Sequence, residues 1–216
     1  MNFPKYDGNI VLTGMPGSGK TTIGKRLKER LGYDFCDFDD DILEKITLET
    51  AEEVIGVLNL RNNGITPEKL ANQEVEYLLG LLGDDKFLEL EGFLGKKLKF
   101  ETPTVLSTSG SLPLSLNTMD NLRKNGKVIY INTPLEVIMT RLKEMKRNRI
   151  VGMGKMTLEK ILEYRDNYYN ITKDFDFKVP IFELREGKTK EERDNEKNII
   201  FGKFMEFYNN EVLGIK

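Results

Sequence analysis

The chain has 216 residues, enough for one sizeable core or one domain with an elaborated flap, and too few for two comfortable domains. Its 33 Lys and Arg against 35 Asp and Glu give a net charge of −2, so no basic field invites nucleic acid and none excludes an anionic small molecule. Histidine is absent and Cys36 is the only cysteine, which removes histidine-based triads, histidine-ligated zinc, imidazole acid–base chemistry and any intrachain disulfide. Proton transfer must then fall to Asp, Glu, Lys, Tyr or Cys36, and no positive sequence neighbour lowers the Cys36 pKa, so it reads as a small buried strand residue. The N-terminal stretch lacks the apolar region of a signal peptide, and no run approaches ~20 apolar residues. The expectation is a cytoplasmic protein that does not cross a membrane.

Residues 9–13, NIVLT, are a short apolar run ending in a glycine-rich turn. Residues 21–32 then place Ile23, Leu27 and Leu31 at helical spacing before a terminal glycine. Residues 33–38, YDFCDF, alternate as a strand does, and 66–83 open a helix with Thr66 as cap and Pro67 at its first position. The alternation within 84–101 predicts a hairpin or flap, and 48–66 fit no element well. Residues 103–108 and 127–132 read as buried parallel strands. A helix follows over 135–148, with Leu135, Ile138, Met139 and Leu142 on one face, then a basic, glycine-bearing stretch, then a helix over 157–171. A last strand at 174–181 and an amphipathic helix at 190–210 close the chain. Strands alternating with helices predict an α/β fold, a parallel sheet with helices on both faces.

The turn after the first strand, GMPGSGKT (14–21), satisfies G-x-x-x-x-G-K-[ST] between a strand and a helix. Gly14, Gly17 and Gly19 let the backbone turn so that successive N–H groups and the helix N-terminus face a polyphosphate. Lys20 supplies a point charge to the β/γ oxygens and Thr21 a hydroxyl to Mg²⁺, with Ser18 and Thr22 in the same nucleotide-binding set. A phosphate loop alone serves kinases, GTPase switches and motor ATPases alike. A guanine-reading N/T-K-x-D has only an out-of-register counterpart at Thr172–Asp174, which disfavours a switch. The strand at 103–108 ends in Ser107 and Thr108 rather than in an acid, so the second protein contact to the metal must come from elsewhere.

The stretch from the phosphate loop through FCDFDDDI (35–42) resembles the shikimate kinase family, whose pattern continues with F-x-D-x-D-x-x-I. VLSTSGSLP (105–113), GKVIYINTPLEVIMTRL (126–142) and RDNYY (165–169) extend the resemblance over roughly 9–180, leaving out 48–66 and 84–103. It implies a three-layer P-loop kinase fold with a five-stranded parallel sheet and a mobile lid at 147–156, within one domain over 1–216 that carries a substrate-side insertion at about 48–103. The implied reaction moves a phosphoryl group from MgATP to a hydroxyl of a cyclic hydroxy acid. Matched residue by residue, the resemblance puts Asp37 near Mg²⁺ and Asp39 at the accepting hydroxyl. Alternation along a strand would turn both acids to one side, with Asp40 and Asp41 at a helix start where negative charge is favoured. Arg165 matches the arginine that grips the substrate carboxylate, and Arg141 the adenine-side arginine. Arg149, preferred over Arg147, is the lid arginine that reaches the transferring phosphate and contacts the nucleotide.

Two departures from the family pattern concern the acceptor. A second carboxylate-binding arginine is replaced by Ala71 in LANQE (70–74), and T-G-G-G becomes TSGS (108–111), which keeps Gly110 and adds Ser109 and Ser111. Arg61, Lys96 and Lys97 are the candidates for supplying the missing charge. The leading expectation is an Mg²⁺- and ATP-dependent kinase for a small anionic metabolite, shikimate or a related hydroxy acid. A sugar acid or nucleoside monophosphate is the alternative acceptor, and a regulatory ATP-binding module without catalysis the alternative class. Nothing in the sequence selects a monomer over a homodimer.

Overall fold

The computed structural model describes residues 4–143, 150–182 and 188–215. Along Asn9–Thr13 (β1), alternating side chains enter two different cores: Val11 packs on one side and Ile10 and Leu12 on the other. A strand buried on both faces must lie in the middle of a sheet. β1 pairs in parallel with Thr104–Ser107 (β3) and Gly126–Asn132 (β4), while Asp34–Asp37 (β2) and Phe175–Lys178 (β5) complete the order β2-β3-β1-β4-β5. The expected five-stranded parallel sheet with helices on both faces is therefore observed.

Lys20–Leu31 (α1) presents Ile23, Leu27 and Leu31 to the Ile10–Leu12 face, and Lys190–Phe207 (α8) adds Ile200 and Phe204 to the same core. A reciprocal capping box between Thr189 and Glu192 starts α8. The Val11 face is covered by Leu48–Val57 (α2), Pro67–Leu70 (α3), Val75–Lys97 (α4) and Leu116–Lys124 (α5). Leu135–Leu142 (α6) and Leu158–Thr172 (α7) enclose a third cluster with Met15, Tyr130 and Tyr169 beside the turn after β1. Among the described residues no helix is long and apolar enough to cross a membrane.

Several elements differ from the sequence expectation. The helix expected over 66–83 is interrupted: α3 ends at Leu70, Asn72 turns with φ 53°, and α4 starts at Val75. The hairpin expected at 84–101 is instead the second half of α4, entered through a kink at Gly83, φ 69°. Phe87, Leu90 and Leu94 recur at helical spacing and are buried, a period that outweighs the short alternation of Leu and Glu within it. Gly92 and Gly95 let this helix approach α5, since a Cβ at Gly95 would lie 2.6 Å from Thr118. Helices α2 and α5 were not anticipated. The helix over 135–148 is observed to Leu142, and 144–149 lie outside the described residues. Cys36 is only half-buried on β2, and burial with the nearby Asp41 and Asp37 carboxylates pushes its thiol up to about 12, which keeps it protonated.

Candidate active site

The strand order reverses about β1, so its carboxyl end opens a crevice where the connections diverge. The turn at 14–19 occupies that crevice. Gly14, Gly17 and Gly19 have φ of 143°, 80° and 103°, a region that side-chain-bearing residues avoid. At Gly14 a Cβ would also stand 2.8 Å from the Ile131 carbonyl oxygen. The turn is held from β4 and α6: Thr133 Oγ1 donates to Ser18 O (2.9 Å) and Arg141 Nη1 to Gly17 O (2.8 Å). Lys20 Nζ donates to the carbonyls of Gly14 (2.8 Å) and Met15 (3.0 Å), so the ammonium sits inside the loop. Burial lowers its pKa to about 8, against the opposing pull of Asp39 and Asp37, while Arg165 adds to the lowering.

One face of the loop opens into a cavity of about 500 Å³ lined by 17–23, Arg141 and a wall of α8 that includes Arg193 and Phe201. Ser18, Thr22 and Arg141 all line it, as the nucleotide assignment expects. The α8 wall was not read from the sequence, because nothing local marks one face of a charged terminal helix as part of a site.

The hydroxyl of Thr21 lies between two strand ends. Its Oγ1 donates to Asp37 Oδ2 at 2.8 Å and lies 3.2 Å from Ser107 Oγ. Asp37 and Ser107 are register partners across β2 and β3, so the end of β2 brings a carboxylate, and the end of β3 a hydroxyl, to Thr21. These are hard oxygen donors. Among the described residues no group of three or more His, Cys, Asp or Glu could form a protein-only cage. The set therefore fits Mg²⁺, which takes one or two carboxylates plus phosphate and water oxygens.

Asp37 ends β2 rather than alternating with Asp39 along it, which corrects the strand argument. Residues 38–43 form a wide helical turn, and Asp37 caps it, Oδ1 accepting from the N–H groups of Asp39 (3.1 Å) and Asp40 (3.4 Å). Asp41 Oδ2 accepts from Asp37 N (2.9 Å), and Asp41 pairs with Lys45, which lowers its pKa even against the effect of burial. The turn, not strand pleating, aims Asp39 into a second cavity of about 280 Å³ on the other side of the loop, where Pro16 is part of the wall.

Ser109, Gly110, Ser111 and Arg165 line that second cavity. Arg165 is 2% exposed, not a solvated helix residue; its Nη2 donates to Val151 O at 2.9 Å. A Cβ on Gly110 would meet the Pro16 ring at 2.5 Å and Arg165 Nη1 at 3.0 Å, so only glycine fits. Tyr169 Oη donates to Gly110 O (2.7 Å), fastening this turn to α7. Ser109 Oγ accepts from Leu112 N at 3.0 Å. Arg147 and Arg149 lie outside the described residues.

The candidates for a replacement cation do not line this cavity. Ala71 packs in the core, Arg61 pairs with Glu52 and Lys97 with Glu53 at the surface, and Lys96 is exposed. What α4 sends into the cavity is an acid. Glu91 is 1% exposed, and neither of its carboxylate oxygens has a hydrogen-bond partner among the described residues. Burial pushes its pKa up to about 7; the Ser109 and Ser111 hydroxyls pull it down, Asp39 raises it and Arg165 lowers it. The sequence signal was present: Glu91 follows Leu90 inside the buried Phe87–Leu94 period, where an acid is out of place.

A family model described as shikimate kinase matches residues 16–56 and 66–180, well over half of the chain. This chain belongs to the shikimate kinase family. The family match passes through 84–103, a segment left out of the resemblance on sequence grounds. The shikimate kinase of Persephonella marina is 27% identical over 161 residues, covering 74% of this chain and 83% of that protein. One from Clostridium botulinum is 32% identical over 134 residues, covering 62% of this chain and 64% of that one. Threonine synthase-like 1 of Homo sapiens is 36% identical over 165 residues, 76% of this chain but 19% of that protein. The chain thus spans about a fifth of the length of the threonine synthase-like relatives it matches. Among solved structures, the Acinetobacter baumannii shikimate kinase in complex with shikimate aligns over 92% of this chain and 94% of its own, with TM-score 0.57 and 25% identity. The Bacteroides thetaiotaomicron shikimate kinase, at 21% identity and TM-score 0.59 over 93% and 99%, shares the fold. The chain has the shikimate kinase-like P-loop fold.

Proposed function

We propose that this protein transfers the γ-phosphoryl group of MgATP to a hydroxyl of a small anionic metabolite bound in the 280 Å³ cavity. The observation that carries this reading is the position of Asp39. It lines the acceptor cavity and also acts electrostatically on Lys20 of the phosphate loop, so one carboxylate faces both partners of a transfer. The loop N–H groups and Lys20 hold the phosphates, with Ser18, Thr22, Arg141 and Arg149 completing the nucleotide set. Thr21 and Asp37 would hold Mg²⁺, which neutralises charge on the β and γ oxygens when bound. Asp39 orients the accepting hydroxyl and takes its proton; in a loose transition state orientation matters more than basicity. Arg165 grips the carboxylate of the acceptor, and the Ser109–Ser111 turn bounds it at Gly110. The test is acceptor-dependent release of ADP across shikimate and related hydroxy acids. Asp39→Asn should abolish that release and leave nucleotide affinity within about threefold; ADP release that survives the substitution would remove Asp39 from the mechanism.

A further inference from the structure

Among the described residues, the wall of the acceptor cavity carries one buried cation, Arg165, and, besides Asp39, one buried acid, Glu91. Removing a carboxylate from water without a hydrogen-bond partner is costly, so a group in that condition calls for a partner, and one on a cavity wall can take it from a ligand. The polar groups of the cavity wall nearest to Glu91 are the Ser109 and Ser111 hydroxyls, which lower its pKa but do not offset its burial and supply no positive charge. Both of its oxygens are unpartnered among the described residues, and Arg165 directs Nη2 to the Val151 carbonyl and makes no ion pair with Glu91. The apolar walls, Val75 and Phe87 among them, offer it nothing. A site with two cations suits an acceptor whose only charge is a carboxylate. A site with one buried cation and one buried anion suits an acceptor that carries both charges.

We propose that Glu91 is a specificity-determining residue that reads an amino group, so that the acceptor is a small hydroxy amino acid held by its carboxylate on Arg165 and its ammonium on Glu91. This rests on the phosphoryl-transfer reading above and narrows its carboxylate-bearing acceptor to one that is zwitterionic. The third group of such an acceptor, its hydroxyl, meets Asp39 on the wall of the same cavity. In the transfer, the hydroxyl oxygen forms a bond to the γ-phosphorus and the bond from that phosphorus to the β–γ bridging oxygen breaks. ADP leaves with the electron pair, the hydroxyl proton passes to Asp39 and then to solvent, and the ammonium keeps its proton throughout. The volume, about 280 Å³, is at the small end for ligand cavities and suits an acceptor of few heavy atoms. The raised pKa of Glu91 agrees with a group that gains a cationic partner only from the ligand.

The experiment uses matched pairs that differ only in the amine: L-serine and 3-hydroxypropanoate, L-threonine and 3-hydroxybutanoate, L-homoserine and 4-hydroxybutanoate, with shikimate as a further amine-free acid. Two quantities are measured for each compound, MgATP-dependent ADP release and calorimetric binding to the protein with MgADP. The expected result is a preference of roughly tenfold or more for the amino member of at least one pair, carried by KM and Kd. Glu91→Gln should reduce that preference to about threefold or less while leaving ADP affinity unchanged. Equal use of both members, a preference for shikimate, or a preference that survives Glu91→Gln would overturn the proposal. So would the absence of binding and turnover for every amino acid tested. The wild-type comparison decides the matter even where Glu91→Gln does not fold. Amine-selective binding without ADP release would sink the phosphoryl-transfer reading and leave the role of Glu91 standing. ADP release with shikimate, indifferent to Glu91, would do the reverse.

Discussion

The phosphate loop is made from neighbours in sequence: residues 14–22 supply the turn, the lysine and the hydroxyl, while Thr133 and Arg141 brace it from β4 and α6 and α8 adds a wall to its cavity. The second cavity takes Pro16 from the loop, Asp39 from the turn after β2, Glu91 from α4, the 109–111 turn after β3, and Arg165 from α7. A contiguous motif can be recognised from its spacing because local geometry almost suffices to determine what it does. A wall gathered from separate elements acquires its chemistry only when those elements pack, and one residue more or less in a connection changes which side chain arrives.

That contrast predicts how substitutions on the two sides should differ. The largest effects should come from Lys20→Ala and Asp39→Asn, each lowering turnover by about a thousandfold or more. Only the lysine substitution should also weaken nucleotide binding; if calorimetry finds the same loss in both, the two sides are not separable. Next in size is Arg165→Lys. It keeps the charge but loses the planar fork, and should raise the acceptor KM by about tenfold or more with the KM for ATP unchanged. Gly110→Ala should cost about 1–3 kcal/mol of stability, read from denaturant midpoints, because the Pro16 ring and Arg165 must both move. It should also weaken acceptor binding more than nucleotide binding.

The smallest effect is a pH dependence of stability. With its pKa raised from 4.5 to about 7, folded Glu91 holds a proton that the unfolded chain has released between those values. Stability should therefore decline as pH climbs through that window and change little from this residue outside it. Urea midpoints at pH 4.5 and pH 7.5, compared between wild type and Glu91→Gln, isolate the contribution, and the variant should show the flatter profile. An identical profile would mean that Glu91 is solvated.

The strands were legible because each is an apolar run bounded by turn residues, and the parallel sheet followed from their alternation with helices. The region between β2 and β3 was not. Alternating Leu and Glu in 88–91 reads as a strand over four residues, whereas Phe87, Leu90 and Leu94 read as a helix over eight; the longer period prevails because α4 can bury it against α5 and the sheet. Asp39 was found for a reason that the structure revises. Strand alternation was to place it beside Asp37, but β2 stops at Asp37, whose side chain caps the turn that carries Asp39. The search for a replacement for Ala71 looked for lysine or arginine, none of which lines the cavity, and passed over the acid that does, Glu91.

By itself, the sequence determined the phosphate loop, the strand and helix on either side of it, the membership of a kinase family and the absence of histidine chemistry. Each of these resides in residue identity or in spacings of a few positions, where backbone sterics and hydrogen bonding act locally. Only the tertiary structure decided that Thr21 meets Asp37 and Ser107, that Arg165 is buried, and that Glu91 rather than Arg61, Lys96 or Lys97 lines the second cavity. Those outcomes depend on the register of β2 against β3 and on the packing of α4 and α7 around the turn after β3. Contacts so far apart in the chain are set by burial of the helix faces as a whole, not by the preferences of the residues that end up touching.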